Sequence, residues 1–512
     1  MTTNDHETRR ERNRDDPTTH ANRSPPNAID GGGPSDPRSG GMRHSRRGFL
    51  AMAGVGTTGV AASLLADPAR AADGAADRGI ETPWLERDGN VLRDPTGNEV
   101  VLRGVNVIDP ARTARSWRRP LSETIDHATD PDRNWYARII RIPVQTGDIV
   151  SVDPDDGSVS DEPQNEVDPG TFTRTQLEAY VEHHLRPVVE HCKAVGVYCI
   201  VDYHRHSDTS LEYTDPDLDE EVRLFWNTVA PEFADDSHVL YEVYNEPIGP
   251  YAGQEPGEEY DVRGADAEQT WLQWRETAQP WVDAIRDHAE RNVVIIGSPR
   301  WSQYTYWAPR HEFEGENLAY AGHVYAGHDG LRPLGDYFGE PSEEVPVFLT
   351  EFGYQGDAGT PLTGTTSEHG AMFEAFFDEY DTVHPQIWCF DPAWQPTMFD
   401  SDDDSLEWEL LGGEEYQGEW WQTYLADRRT DDLPETTDGS DSIAVGDYEA
   451  RDTDGDGRYE DVTGDGETTH EDVDAFFDNL ESDGVQENPE AFDFDGNGRT
   501  GFSDVLELLR RV

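Results

Sequence analysis

Leu240-Tyr241-Glu242-Val243-Tyr244-Asn245-Glu246-Pro247 reads as a buried strand that runs out into an exposed Asn-Glu-Pro. Its β-branched and aromatic residues favour extended chain, and Pro247, with no N–H to give, ends the ladder. Glu246 is thereby delivered to the lip of a sheet, beside an amide suited to a sugar hydroxyl. Val347-Phe348-Leu349-Thr350-Glu351-Phe352-Gly353 repeats the design, placing Glu351 105 residues after Glu246. Two carboxylates at the C-terminal ends of apolar strands are the equipment that glycoside hydrolysis requires.

Working outward, apolar strand-like runs recur at 101–107, 138–143, 197–203, 239–245, 293–298, 319–325, 346–351 and 386–391. Helix-period segments lie between several of them, at 173–195, 219–233, 267–288 and 368–380. Short, nearly continuous apolar strands alternating with helices imply parallel strands covered on both faces. Eight such units predict an α/β fold, a (β/α)8 TIM barrel over residues 80–427 with its active site at the strands' C-terminal ends. A doubly wound open sheet ranks lower, because no Gly-rich phosphate-binding turn follows the first run. Polar residues stand at these strand ends: Arg141, His204, Asn245, Glu246, His323, Tyr325, Glu351 and Trp388. Desolvating them without a purpose would be costly.

The ordered set LRGVN (102–106), RIP (141–143), VDYH (201–204), YNEP (244–247), HVY (323–325), TEFG (350–353) and the Trp388 strand resembles glycoside hydrolase family 5, which includes many cellulases. The resemblance covers about Trp84 to Leu425. It implies a retaining mechanism with Glu246 as acid/base and Glu351 as nucleophile, supported by Arg141, His204, Asn245, His323, Tyr325 and Trp388. In that scheme Arg141 and the Tyr325 hydroxyl donate to Glu351, Asn245 binds the sugar 2-hydroxyl, and Trp388 offers a flat face to a sugar ring. His204 and His323 contact the sugar or Glu246. The charge of Glu351 is expected to hold the proton on Glu246 by like-charge repulsion. No cofactor is required for catalysis. The His204/His206 pair and His183, His184 and His191 have no recognised ligand spacing, which predicts no metal in the barrel.

The net charge is −66, and Lys193 is the single lysine. The acids are spread through segments that also carry strong apolar patterns, so the reading is a folded protein with an acidic skin. Such a skin stays hydrated in concentrated salt, where screening removes its self-repulsion. This predicts a salt-adapted protein of haloarchaeal type and argues against nucleic acid as a partner. Cys192, Cys199 and Cys389 make no disulfide framework. Residues 1–72 combine a polar stretch with Ser45-Arg46-Arg47-Gly48-Phe49-Leu50 and a small apolar run, followed by Ala69-Arg70-Ala71. This reads as a twin-arginine signal peptide, with secretion or cell-surface association and no membrane span in the mature form.

Residues 428–450 lack periodicity and read as a linker. Beyond them, Asp461, Thr463, Asp465, Gly466 and Asp472 stand at positions 1, 3, 5, 6 and 12 of a calcium loop. Asp493, Asp495, Asn497, Gly498 and Asp504 repeat that register 32 residues on, and a helical pattern follows each loop. The pair, with Asp at position 12, resembles a dockerin. It implies a small α-helical, EF-hand-like domain over 451–512, bound Ca2+ and a cohesin-like protein partner. The whole predicts an exported endoglucanase acting on β-1,4-glucan. A β-mannanase or exo-β-glucosidase on the same barrel is the alternative among enzymes. A non-catalytic polysaccharide-binding or surface-assembly protein is the alternative from another class.

Overall fold

The structure is a computed structural model. It describes residues 79–512 apart from 163, 165–166, 206–210, 254–260, 401–406, 436–441, 447, 454–456 and 465–467. The twin-arginine segment, His206 and Asp465 therefore lie outside the described residues.

Eight strands close into a barrel: β1 (Gly104–Asn106), β2 (Ile139–Gln145), β3 (Tyr198–His204), β4 (Val239–Glu242), β5 (Val294–Ile296), β6 (Leu318–Tyr325), β7 (Val347–Gly353) and β8 (His384–Ile387). Every neighbouring pair is parallel, and β8 returns to β1. Helices cover the outside, among them Pro216–Val229, Ala265–Arg286 and Ala371–Glu379. Local signals set their limits. Asp215 caps the first of these with Pro at its first turn. Gly196, at φ +78°, ends Arg186–Val195 in a left-handed conformation that a side chain would resist.

The strand period of two sorts residues into an outer and an inner layer. Ile140, Val201, Tyr241 and Val324 join the large core between strands and helices. Ile139, Tyr198, Ile200, Leu240, Ala319, Ala321 and Phe348 fill the lower barrel interior. Below them, strands Glu86–Asp88, Val91–Arg93 and Glu99–Val100 form an antiparallel sheet whose Leu92 and Val100 close the floor. Continuing the same alternation upward gives Arg141, Asp202, His204, Glu242, His323 and Tyr325. The inner face is thus apolar at the bottom and polar at the top. That gradient makes the C-terminal end the reactive one.

Part of the stretch read as a linker is ordered. Asp432 accepts from Val101 N at 3.1 Å and pairs with Arg103 at 2.7 Å. Ile443–Val445 and Tyr448–Ala450 form a hairpin whose Val445 and Ala450 enter a separate C-terminal core with Phe476, Phe492 and Leu508. Short hairpin strands with one buried residue each leave too little periodicity to see in sequence. In the same unit, helices His470–Asp478 and Phe502–Arg511 follow the two acidic loops. No described helix is long and apolar enough to cross a membrane.

Candidate active site

Arg141 organises the upper barrel interior. It lies within β2 rather than at its end, and is fully buried. Its Nε donates to Glu242 Oε2 at 2.6 Å, and Nη1 donates to Glu351 Oε1 at 2.9 Å and Asn106 Oδ1 at 3.0 Å. Nη2 donates to Asn245 Oδ1 at 2.7 Å and lies 2.9 Å from Asp202 Oδ2. Burial alone would lower the guanidinium pKa, but the charges of Asp202, Glu242 and Glu351 override it and raise the value. The exchange is reciprocal. Burial raises Asp202 to about 7 against the pull of Arg141, and raises Glu242 as well.

Glu351 is aimed by a fault in the ladder. The β6–β7 register shifts between Phe348 and Glu351, so Glu351 pairs with His323. A bulge of this kind bends the strand and redirects side chains, and both Thr350 and Glu351 reach the interior. The Tyr325 hydroxyl donates to Glu351 Oε2 at 2.7 Å, so each carboxylate oxygen accepts a bond from a fixed donor.

Glu246 lies four residues beyond the end of β4, in a segment pinned from two sides. Asn245 N donates to Tyr203 O at 3.1 Å, and Ser302 Oγ donates to Asn245 O at 2.8 Å. Arg300 N and Trp301 N donate to Ile248 O and Pro247 O, each at 3.1 Å. Arg300, Trp301 and Ser302 do this with φ of 60°, 55° and 54°, a left-handed turn without glycine. Such conformations cost roughly 1–3 kcal/mol per residue and persist only where neighbouring structure holds them. Here the bonds to the Glu246 segment do so.

The two carboxylates meet. One oxygen of Glu246, one ring nitrogen of His323 and one oxygen of Glu351 all lie within 4.8 Å of one another. The side chain of Glu246 is 15% exposed and that of Glu351 7%, so both are largely buried and each keeps a small area open to solvent. Burial is the first cause of a Glu246 pKa raised to about 8, with Arg141 lowering it and Asp202 raising it. This corrects the expectation that Glu351 holds the proton there. Desolvation and a third carboxylate are the stronger influences.

Both histidines are neutral near pH 7, since burial lowers His204 to about 3 and His323 to about 4. His323 contacts Glu246 directly, Nδ1 to Oε1 at 2.8 Å. His204 instead places Nδ1 2.6 Å from Asp202 Oδ2, and its ring stacks at 8° on Trp388. Trp388 donates Nε1–H to Gln395 O at 3.1 Å and, with Ile108, Tyr325 and Trp394, forms an apolar cluster beside the carboxylates.

Three polar residues central to this network carry no role in the sequence reading: Asp202, Glu242 and Thr350. Each interrupts an apolar strand run with a polar side chain on its inward face. That costly burial was the available signal.

In the C-terminal unit the described residues of the two loops share their bonds to the carboxylate at position 12. Asp472 accepts from Thr463 N at 2.8 Å and Thr469 N at 2.7 Å; Asp504 accepts from Asp495 N at 3.1 Å and Gly501 N at 2.6 Å. Asp461 accepts from Gly464 N at position 4 of its loop, and Asp493 from Asn497 N at position 5 of the other. One oxygen each of Asp493, Asp495 and Asp504 lies within 4.8 Å of the others. Asn497 sits beside them and donates to Ser503 Oγ.

Paired carboxylates at the C-terminal rim of a parallel eight-stranded barrel define the class of barrel glycosidases. Within that class, the chain belongs to the cellulase family, glycosyl hydrolase family 5, whose sequence profile matches residues 93–393. Endoglucanase A of Evansella cellulosilytica is 29% identical over 206 residues, 39% of this chain and 36% of that protein. Endoglucanase C of the same organism is 33% identical over 154 residues, 28% of this chain and 18% of that protein. The chain thus spans about a third of the length of the first curated relative and less of the second. Among solved structures, the native β-glucanase SdGluc5_26A of Saccharophagus degradans shares the fold, with a TM-score of 0.51 and 20% identity over 69% of this chain and 95% of that one.

Proposed function

We propose that the protein is an exported, salt-adapted glycosidase that cleaves β-1,4-glucan from within the chain, with retention at the anomeric carbon. The supporting observation is the approach of Glu246 and Glu351, whose nearest oxygens lie within 4.8 Å. Retaining enzymes hold their carboxyl groups about 5–5.5 Å apart, whereas inverting ones leave about 6.5–9.5 Å for a water. Glu351 attacks the anomeric carbon while Glu246 gives its proton to the departing glycosidic oxygen. Glu246 then takes a proton from the water that hydrolyses the glycosyl ester. Arg141 and Tyr325 orient the nucleophile, the family resemblance assigns the sugar 2-hydroxyl to Asn245, whose amide is held by Arg141 and Arg205 O, and Trp388, braced by His204, supplies the ring platform. The endoglucanase names of the curated relatives favour a β-1,4-glucan substrate.

Digests of soluble β-1,4-glucan, β-mannan and xylan at several salt concentrations, resolved by product length, test this. Early mid-length gluco-oligosaccharides are expected. Glucose alone, or manno-oligosaccharides, would move the assignment to exo-β-glucosidase or β-mannanase. Inertness of wild type on all three would favour a binding or surface-assembly role.

The C-terminal unit is read as a dockerin-like calcium module with a cohesin-like partner that tethers the enzyme at a surface. Its two loops of matching spacing and their all-oxygen donors suit Ca2+. Asp461, Thr463, Asp465 and Asp472 would hold one ion, and Asp493, Asp495, Asn497 and Asp504 the other. The bound ion would offset carboxylates that are fully buried at 461, 472 and 504. Chelation is therefore expected to unfold this unit and spare the barrel. All 14 tryptophans precede residue 428. The expected result is thus a loss of helical circular dichroism at unchanged tryptophan fluorescence, reversed by Ca2+.

A further inference from the structure

We propose that Thr350 and Glu242 are positioning residues for Glu246: Glu242 orients the Thr350 hydroxyl, Thr350 fixes His323 as its Nε2–H tautomer, and the bare Nδ1 of His323 requires a proton on Glu246. The inference rests on the reading of Glu246 as the acid and goes beyond it by naming what keeps the proton there.

The chain of contacts is continuous. Arg141 Nε donates to Glu242 Oε2 at 2.6 Å, and Thr350 Oγ1 donates to Glu242 Oε1 at 3.0 Å. His323 Nε2 lies 2.9 Å from Thr350 Oγ1, and His323 Nδ1 lies 2.8 Å from Glu246 Oε1. Thr350, Glu242 and His323 are buried. A threonine hydroxyl has a single proton, and a neutral imidazole has a single N–H. Once the hydroxyl proton points at Glu242, Oγ1 can only accept from His323, so the ring proton must sit on Nε2. Nδ1 is then an acceptor, and its 2.8 Å contact with Glu246 is a hydrogen bond only when Glu246 is a carboxylic acid. The reverse order of protons requires a neutral Glu242; burial pushes that way, and the short charge-assisted bond from Arg141 Nε, at 2.6 Å, holds the carboxylate against it. After the proton leaves with the departing sugar, the Glu246 carboxylate faces a lone pair on Nδ1. That repulsion strengthens it as a base toward water.

The groups facing Glu246 and His323 are Arg141 from β2, Asp202 and His204 from β3, Glu242 from β4, Tyr325 from β6, His328 just beyond β6 and Glu351 from β7. Burial, opposed by Arg141 and aided by Asp202, raises the Glu246 pKa to about 8. The acid form is lost as pH rises through that value, so kcat/KM should fall on the alkaline side there.

Thr350→Val keeps the shape of the side chain and removes the hydroxyl. Freed from it, the His323 proton can move to Nδ1 and donate to a Glu246 carboxylate. The expected result is an alkaline limb displaced to lower pH by about one unit, and kcat/KM on soluble β-1,4-glucan down by about 10–100-fold. An activated dinitrophenyl cellobioside, whose leaving group needs no acid, should lose less than about threefold in the burst of phenolate. Thr350→Ser should restore both. An unmoved alkaline limb, or an equal loss on both substrates, would overturn the proposal and leave a structural role. Glu246→Gln tests the underlying reading separately. If that variant keeps wild-type activity and pH profile, the acid assignment fails whatever Thr350 does. Should Thr350→Val not fold, the ¹⁵N shifts of the His323 ring in the full wild-type chain decide. A protonated Nε2 and bare Nδ1 are expected, and a protonated Nδ1 overturns the inference.

Discussion

Glu351→Ala should reduce turnover of soluble β-1,4-glucan by roughly 10⁴-fold or more, because in the proposed mechanism Glu351 is the nucleophile and its loss removes the covalent route. The fold should survive. Glu351 is one of three carboxylates on the Arg141 guanidinium, and its loss leaves Asp202 and Glu242 to neutralise that cation. The urea midpoint is therefore expected to stay near that of wild type. External azide should restore cleavage of an activated aryl glycoside, giving a glycosyl azide of inverted configuration. Residual activity within tenfold of wild type would show that a different group attacks the sugar.

Arg141→Leu is expected to cost more in stability than any other change at the site. The guanidinium is buried and bonds to Glu242, Glu351, Asn106 and Asn245, with Asp202 2.9 Å away. Removing one partner of a buried ion pair typically costs about 3–5 kcal/mol, because the other charge stays behind. Three carboxylates would stay behind here. The loss should depend on pH. Asp202 already has a folded pKa of about 7, raised from 3.8. A raised acid binds its proton more tightly in the folded state, so stability declines as pH climbs from the unfolded value towards the folded one. Without Arg141 the folded values rise further and the decline steepens. Urea unfolding of wild type and variant at pH 5 and pH 8 measures this, and the gap between them should be wider at pH 8. A gap that narrows at pH 8, or no destabilisation, would mean that the three acids do not depend on this cation.

Much of this architecture was legible before any coordinates. Parallel barrel strands are buried on both faces, so each leaves a short continuous apolar run, and eight runs separated by helical periods define the barrel. Glu246 and Glu351 were legible because each closes such a run within a recurring motif. The two acidic loops were legible because their side chains stand at fixed local spacings that recur 32 residues on, and their internal hydrogen bonds repeat in the same register at 463/472 and 495/504. The short hairpin at 443–450 was not, since two three-residue strands carry no period to detect.

The amino-acid order by itself determined which chemistry-bearing side chains exist and at which end of the barrel they emerge, because strand alternation and chain direction are local properties. Only the tertiary structure decided which of them touch. The bonds that matter join Arg141 to Glu242 and Glu351, Thr350 to Glu242, and His323 to Glu246, across separations of 77 to 210 residues. Nothing in a linear pattern measures such contacts. The same holds for the raised pKa of Glu246: burial, its first cause, and the nearby Asp202 are both products of barrel closure.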